Sequence, residues 1–296
     1  MNLQEYLTEN RRTVDKALDE MLPAEDNEPT LLHQAMRYSV FAGGKRLRPI
    51  LAMTAAEIVS GDGECVMPLA VALECIHTYS LIHDDLPAMD DDDVRRGKPT
   101  AHKVFGEAVA ILAGDSLLTF AFGVLAGPGS IRIYRPDRLL ATIGELAVAA
   151  GPEELIGGQF LDIMSENKPV EAQTVERIML SKTAALISAS LTCGARLAGG
   201  CEEEIRILGR YGKMLGSAFQ MKDDLLDLEG DAAKLGKAVK KDHEHGKATY
   251  PKLLGKSKTK DMMRELIDLA LDVIRPFGAR AAILADIGRY VVERVH

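Results

Sequence analysis

The chain has 296 residues, 47% of them hydrophobic, enough to bury a large core as one big domain or two smaller ones. Its 44 acidic residues outnumber 36 basic ones for a net charge of −8, which argues against wrapping nucleic acid or lying on anionic lipid. No run of roughly 20 uncharged apolar residues is visible, and Met1-Asn-Leu-Gln-Glu-Tyr6 is not a basic-then-apolar leader, so neither a span nor an export signal is expected. Cys65, Cys75, Cys193 and Cys201 show no C-x-x-C spacing. They read as reduced thiols in a cytoplasmic protein, with Cys75 and Cys193 in apolar helical runs.

Apolar residues recur at i, i+3 and i+4 along nearly the whole chain. The pattern predicts helices over about 2–20, 30–42, 46–60, 66–86, 107–126, 136–150, 170–198, 202–228, 257–274 and 279–295. Gly61, Pro87, Gly127-Pro128-Gly129, Gly151-Pro152, Gly199-Gly200 and Gly230 punctuate them. Alternating runs are nearly absent; the short Ser130-Ile-Arg-Ile-Tyr134, between Pro128 and Pro136, reads as a loop or extended link. The expectation is one all-α domain over 1–296, with two acidic motifs facing each other across its centre.

Those motifs carry the chemistry. The first is Asp84-Asp85-Leu-Pro-Ala-Met-Asp90-Asp91-Asp92-Asp93, followed by Arg95 and Arg96; the second is Asp223-Asp224-Leu-Leu-Asp227, preceded by Gln220. Crowded carboxylates repel one another, so such clusters need compensating cations. Two carboxylate sets flanked by Arg and Lys suit divalent ions that bridge protein oxygens to a diphosphate. Asp223 and Asp227 stand one helical turn apart on one face, with Gln220 on the same side. Asp84 has Ala88 at i+4, so its partner carboxylate must be Asp90, reached if Pro87 ends the helix near Leu86 and the chain folds back.

His77 lies two turns before Asp84 on nearly the same face, either a packed residue or a ligand. Lys45 and Arg48 follow a Gly43-Gly44 break where a helix begins; they read either as a surface basic turn or as an anion site. Arg95 and Arg96 suit paired grips on phosphate oxygens, whereas Lys182, Lys237 and Lys247 are each ordinary taken singly.

Together these stretches resemble the trans-isoprenyl diphosphate synthases, most closely the bacterial farnesyl type. The likeness runs from Gly-Gly-Lys-Arg-Leu-Arg-Pro through the first aspartate motif, Gly-Gly-Gln-Phe-Leu-Asp at 157–162 and Ser-Lys-Thr-Ala to Gln-Met-Lys-Asp-Asp-Leu-Leu-Asp. The resemblance implies an all-helical bundle around a deep cavity, a homodimer, and three magnesium ions held by Asp84, Asp90, Asp223 and Asp227. It implies that Arg95, Lys182, Thr183, Gln220, Lys237 and Lys247 bind the allylic diphosphate, with Lys182 counted among the catalytic residues. Lys45, Arg48, His77 and Arg96 would hold the diphosphate of isopentenyl diphosphate.

The implied reaction is loss of diphosphate from the allylic substrate, attack by the isopentenyl double bond and loss of a proton, with the released diphosphate as base. No side-chain nucleophile is expected, and no Gly-x-Ser-x-Gly elbow is present. Water must be excluded, so a closing loop or tail is expected; the end, Arg294-Val-His296, matches the family's basic tail weakly. Tyr79 and Ser80, five and four residues before Asp84, lie about 6–7.5 Å down the helix axis, where a growing tail would run. In the family an aromatic at that level goes with a C15 product, so the expectation is farnesyl diphosphate, with a geranylgeranyl synthase as the alternative. A class I terpene cyclase would lack the intact second motif, a non-catalytic partner subunit would have lost aspartates, and a calcium-binding helical protein would leave the Arg and Lys sets without a task.

Overall fold

The computed structural model describes residues 2–229 and 247–293. The protein is all-α, and its chain gathers into two compact units. One consists of the residues up to Ile50 together with Met67–Leu139; the other of Leu51–Val66 together with the residues from Leu140 onward.

In the first unit, α1 (Leu3–Met21) opens on a capping box in which Asn2 and Glu5 each accept from the other's backbone N–H at 2.9 Å. Then come α2 (Thr30–Val40), the first turn of α3 (Leu47–Ser60) and α4 (Met67–Asp84). Helix α4 buries residues on every side, from Leu69 to Ile82, because it is apolar all round and packs chiefly on α6 (Glu107–Ala126). Contact there is close: a Cβ on Gly114 would lie 2.2 Å from Nε2 of His83. Short helices α5 (Ala101–Phe105) and α7 (Pro128–Ile133) flank α6.

The second unit holds most of α3, all but the first turn of α8 (Pro136–Ala150), α9 (Leu155–Ser165), α10 (Ala172–Ile178) and α11 (Ala185–Leu197). It continues through α12 (Glu202–Glu229), α13 (Tyr250–Leu254), α14 (Lys256–Val273) and α15 (Ala282–Glu293). Helix α12 packs against α11, α14 and α15, and the buried Tyr211 hydroxyl donates to the Leu284 carbonyl.

Local sequence and structure part company in a few places. Pro128–Ile133 is a helix rather than a loop: Gly127 is its cap and Pro128 its first residue, where a fixed φ helps and a missing N–H costs nothing. The helix expected over 170–198 starts at Ala172 and is interrupted by a π-helical turn, Met179–Ala184. The helix expected to reach Leu86 ends at Asp84. The one expected over 279–295 begins as a 3₁₀ segment, Arg275–Ala281, bent at Gly278. Helices α5, α9 and α13 were not anticipated, nor was the hairpin in which Val94 pairs with Pro99 and Arg95 with Lys98. Its turn uses Arg96 and Gly97, both at positive φ, as a two-residue turn of the primed type requires.

The membrane expectation also needs correction. By length and composition alone, Glu64–Asp84, Glu107–Ile133 and Ala172–Leu197 are long and apolar enough to cross a bilayer. The apolar windows of the first and third are 67% and 83% buried within the protein, which accounts for their composition; that of Glu107–Ile133 is 33% buried. Its exposed apolar residues are Ile111, Leu112, Ile131 and Ile133. The cysteines are free, with Cys75 and Cys193 buried as expected; burial pushes both thiols well above their ordinary range.

Candidate active site

In the first unit the acidic motif is a turn folded onto the end of α4. The Asp90 N–H donates to the Asp84 carbonyl at 2.8 Å and the Asp92 N–H to the Asp85 carbonyl at 3.2 Å, so the chain does fold back past Pro87. Asp84 and Asp90, both half-buried, are thereby brought together at the backbone level. Asp85 points elsewhere. It is 4% exposed and accepts from Arg95 at 2.6–3.0 Å through Nε and Nη2, a forked grip that fixes the guanidinium. Burial raises the Asp85 pKa, and Arg95 counters that rise. Asp85 therefore positions Arg95, a role that spacing alone did not disclose.

The basic residues of this unit crowd one another. Arg96 donates from Nη1 to the Gly43 carbonyl, and its guanidinium lies against Gly44, where a Cβ would meet Nη1 at 2.6 Å. Gly44, at φ +138°, is thus favoured for its backbone, and a side chain there would have to displace the Arg96 guanidinium. His77 is held well below its ordinary pKa, first by burial and then by Arg48, Arg96, Arg95 and Arg46. The Arg96 pKa is lowered too, by burial and by Arg46 and Arg95. Cations gathered at this density suit an anion. Lys45 is exposed at the same loop and Arg48 half-buried in the first turn of α3.

Tyr79 is 5% exposed, edge-on to His83 at 5.8 Å between ring centroids. Its hydroxyl is buried with no hydrogen-bond partner among the described residues, and burial, aided by the Asp84 charge, pushes its pKa up to about 12. Ser80 instead turns back, donating to the His77 carbonyl at 2.9 Å.

In the second unit a concavity is lined by Asp162, Lys182, Thr183, Gln220, Asp224 and Lys247. Lys182 and Thr183 sit on the π-helical turn, whose extra residue per turn re-aims side chains. That turn is approached closely: a Cβ on Gly158 would lie 2.4 Å from the Lys182 nitrogen. Lys182 donates to Asp162 at 2.7 Å, the Thr183 hydroxyl donates to Gln220 Oε1 at 2.6 Å, and Gln220 Nε2 donates to Asp224 at 2.8 Å. Asp162 and Asp224 are the residues the sequence reading missed as partners; the sequence signal for Asp162 was its place in Gly-Gly-Gln-Phe-Leu-Asp. Asp223 is half-buried, whereas Asp224 and Asp227 are 7% and 3% exposed. Asp223 and Asp227, one turn apart on one face of α12, form a hard-oxygen donor pair that fits magnesium. Lys237, Arg294 and His296 lie outside the described residues.

Beyond these, Asp91, Asp93 and the buried His102 bring potential ligand atoms within 4.8 Å of one another, with Lys103 Nζ 2.8 Å from Asp93.

Residues 29–273 match the polyprenyl synthetase family. The chain belongs to that family. It is 46% identical over 293 residues to the heterodimeric geranylgeranyl pyrophosphate synthase large subunit 1 of Arabidopsis thaliana, covering 98% of this chain and 78% of that one. It is 42% identical over 296 residues to a farnesyl diphosphate synthase of Geobacillus stearothermophilus, covering 100% and 99%. Among solved structures, an FPP/GFPP synthase of Zymomonas mobilis matches with a TM-score of 0.87 at 36% identity, covering 98% of this chain and 99% of that one. As a polyprenyl synthetase the protein is a transferase, a trans-prenyl diphosphate synthase of a family that acts on allylic and isopentenyl diphosphates and uses magnesium through its aspartate-rich motif.

Proposed function

We propose that this polyprenyl synthetase condenses dimethylallyl and then geranyl diphosphate with isopentenyl diphosphate, and stops at farnesyl diphosphate. The observation that carries the C15 reading is Tyr79. A buried ring one and a half turns below Asp84 leaves little length for a growing tail. Relatives named for farnesyl and for geranylgeranyl products are both similar to this chain, and the aromatic at this position supports the farnesyl reading.

In this reading Asp84, Asp90, Asp223 and Asp227 are the magnesium ligands. Bound magnesium supplies Lewis-acid stabilisation of charge on the departing diphosphate. Arg95, oriented by Asp85, and Lys182, oriented by Asp162, neutralise the allylic diphosphate as its C–O bond ionises. Thr183, Gln220, Lys237 and Lys247 complete that contact set. Lys45, Arg48, His77 and Arg96 hold the isopentenyl diphosphate, whose double bond attacks the cation. No protein group need take the final proton, because diphosphate is itself a base.

The exposed Ile111, Leu112, Ile131 and Ile133 of Glu107–Ile133 support a homodimer, a second copy being the natural cover for them. The free, buried Cys75 and Cys193 favour the cytoplasm. Incubation of the pure protein with dimethylallyl and isopentenyl diphosphates, with and without magnesium, followed by chromatography of the dephosphorylated alcohols, tests the reading. A dominant C15 alcohol that requires magnesium is expected; a dominant C20 alcohol would transfer the chain to the geranylgeranyl type.

A further inference from the structure

Arg46 sits between Lys45 and Arg48, yet it faces away from solvent. Its side chain is 2% exposed, and every guanidinium nitrogen is engaged. Nε donates to Asp15 at 2.7 Å, Nη1 to Glu74 at 2.6 Å and Nη2 to the Val40 carbonyl at 2.7 Å. Glu74 is 1% exposed and lies on α4, one turn before His77, so the pair is a buried ion pair fixed at both ends. Burial lowers the Arg46 pKa, and the two carboxylates more than offset it, so the group stays charged. With each of its three nitrogens bonded to protein and the side chain buried, this arginine is committed to the fold rather than to a substrate.

The backbone at Arg46 is in turn unusual. Its φ is +51°, a conformation L side chains rarely adopt, and its carbonyl accepts the first helical bond of α3, from Ile50 at 3.0 Å. Such a residue persists when its surroundings over-determine it. Three charge-assisted bonds from one side chain to α1, α2 and α4 do that, and Arg96 clamps the same loop from the other side at Gly43.

We propose that Arg46 is a positioning residue: anchored to Glu74 and Asp15, it holds the strained turn that aims Lys45 and Arg48 at the diphosphate of isopentenyl diphosphate. This rests on the reading that Lys45 and Arg48 bind that substrate. Lys45 is exposed and Arg48 half-buried, whereas Arg46 between them is pulled inward, and the left-handed residue precedes the first turn of α3. Lysine could not replace Arg46, since one ammonium cannot reach Asp15, Glu74 and Val40 together.

The test is steady-state kinetics on Arg46→Lys, Asp15→Asn and the double variant Arg46→Met/Glu74→Gln, which removes both buried charges together and so avoids orphaning either. Melting curves on each confirm the fold, and Arg48→Ala is run beside them. Loss of aim should raise KM for isopentenyl diphosphate about ten- to a hundredfold in Arg46→Lys and the double variant, less in Asp15→Asn, because Asp15 is itself half-exposed. The KM for geranyl diphosphate and kcat should hold near wild type, a split that a merely structural role would not produce. Unchanged KM for isopentenyl diphosphate in Arg46→Lys, while Arg48→Ala raises it, overturns the positioning role alone. No effect from Arg48→Ala overturns the subsite reading and this inference with it. An equal rise in KM for both substrates also overturns it.

Discussion

Replacing Tyr79 by Ala removes a ring that is 5% exposed and sits about 7.5 Å along the axis of α4 from Asp84. Truncating a buried aromatic to Ala costs about 3–5 kcal/mol in lost contacts and cavity. Here a second quantity opposes it: the Tyr79 hydroxyl is buried without a hydrogen-bond partner among the described residues, and removing it recovers about 1–3 kcal/mol. The difference is a net loss of about 2 kcal/mol, equivalent to a fall in Tm of about 3 °C for a chain of this size. The vacated volume lies where a C15 tail would end, so synthesis should run on to C20 or longer alcohols while kcat changes modestly, since no diphosphate ligand is touched. Tyr79→Phe separates ring from hydroxyl: it should keep the C15 product and raise Tm by about 2–4 °C. Product chromatography with a melting curve reads both. A folded Tyr79→Ala enzyme that still stops at C15, or a Tyr79→Phe enzyme that lengthens its product, refutes the length-gate reasoning.

Asp84→Asn and Asp223→Asn should each lower magnesium-dependent turnover by at least about a hundredfold while circular dichroism stays helical; near-normal product from either removes the metal-ligand reading. Arg48→Ala should weaken isopentenyl diphosphate and Lys182→Ala the allylic substrate, each by about 1.5–3 kcal/mol or ten- to a hundredfold, and equal effects on both substrates would mean the subsites are misassigned. Because His77 is held below its ordinary value near 6.5, the unfolded chain takes up its proton first on acidification. Stability should therefore be full above pH 6.5 and decline as the pH falls below it. His77→Gln should flatten that decline, and saturating pyrophosphate should do the same for wild type by countering the surrounding guanidinium charge; parallel Tm-versus-pH curves for wild type and variant would contradict this.

The helices and the chemistry of the acidic motifs were legible in the amino-acid order because both are local properties. Apolar spacing predicts a helix wherever it recurs, and Asp223 and Asp227 share a face by the helical period alone. The same locality explains the misreadings: Ser130–Tyr134, short and lying between Pro128 and Pro136, read as a loop or extended link although Gly127 and Pro128 start a helix there, and the π turn at Met179–Ala184 lies where α9 and α12 approach closely at Gly158 and Gly216, contacts that its own residues do not encode. What only the tertiary structure decided is which charges pair. The sequence singled out Lys45 and Arg48 and gave no role to Arg46 between them; the fold buries Arg46 against Asp15 and Glu74. Asp84 and Asp85 likewise stand side by side in sequence, and packing assigns Asp85 to Arg95. Lys182 finds Asp162 across 20 residues of chain. Such pairings depend on which side of a turn faces the interior, and that is fixed by burial and by bonds between segments that local spacing does not bring together.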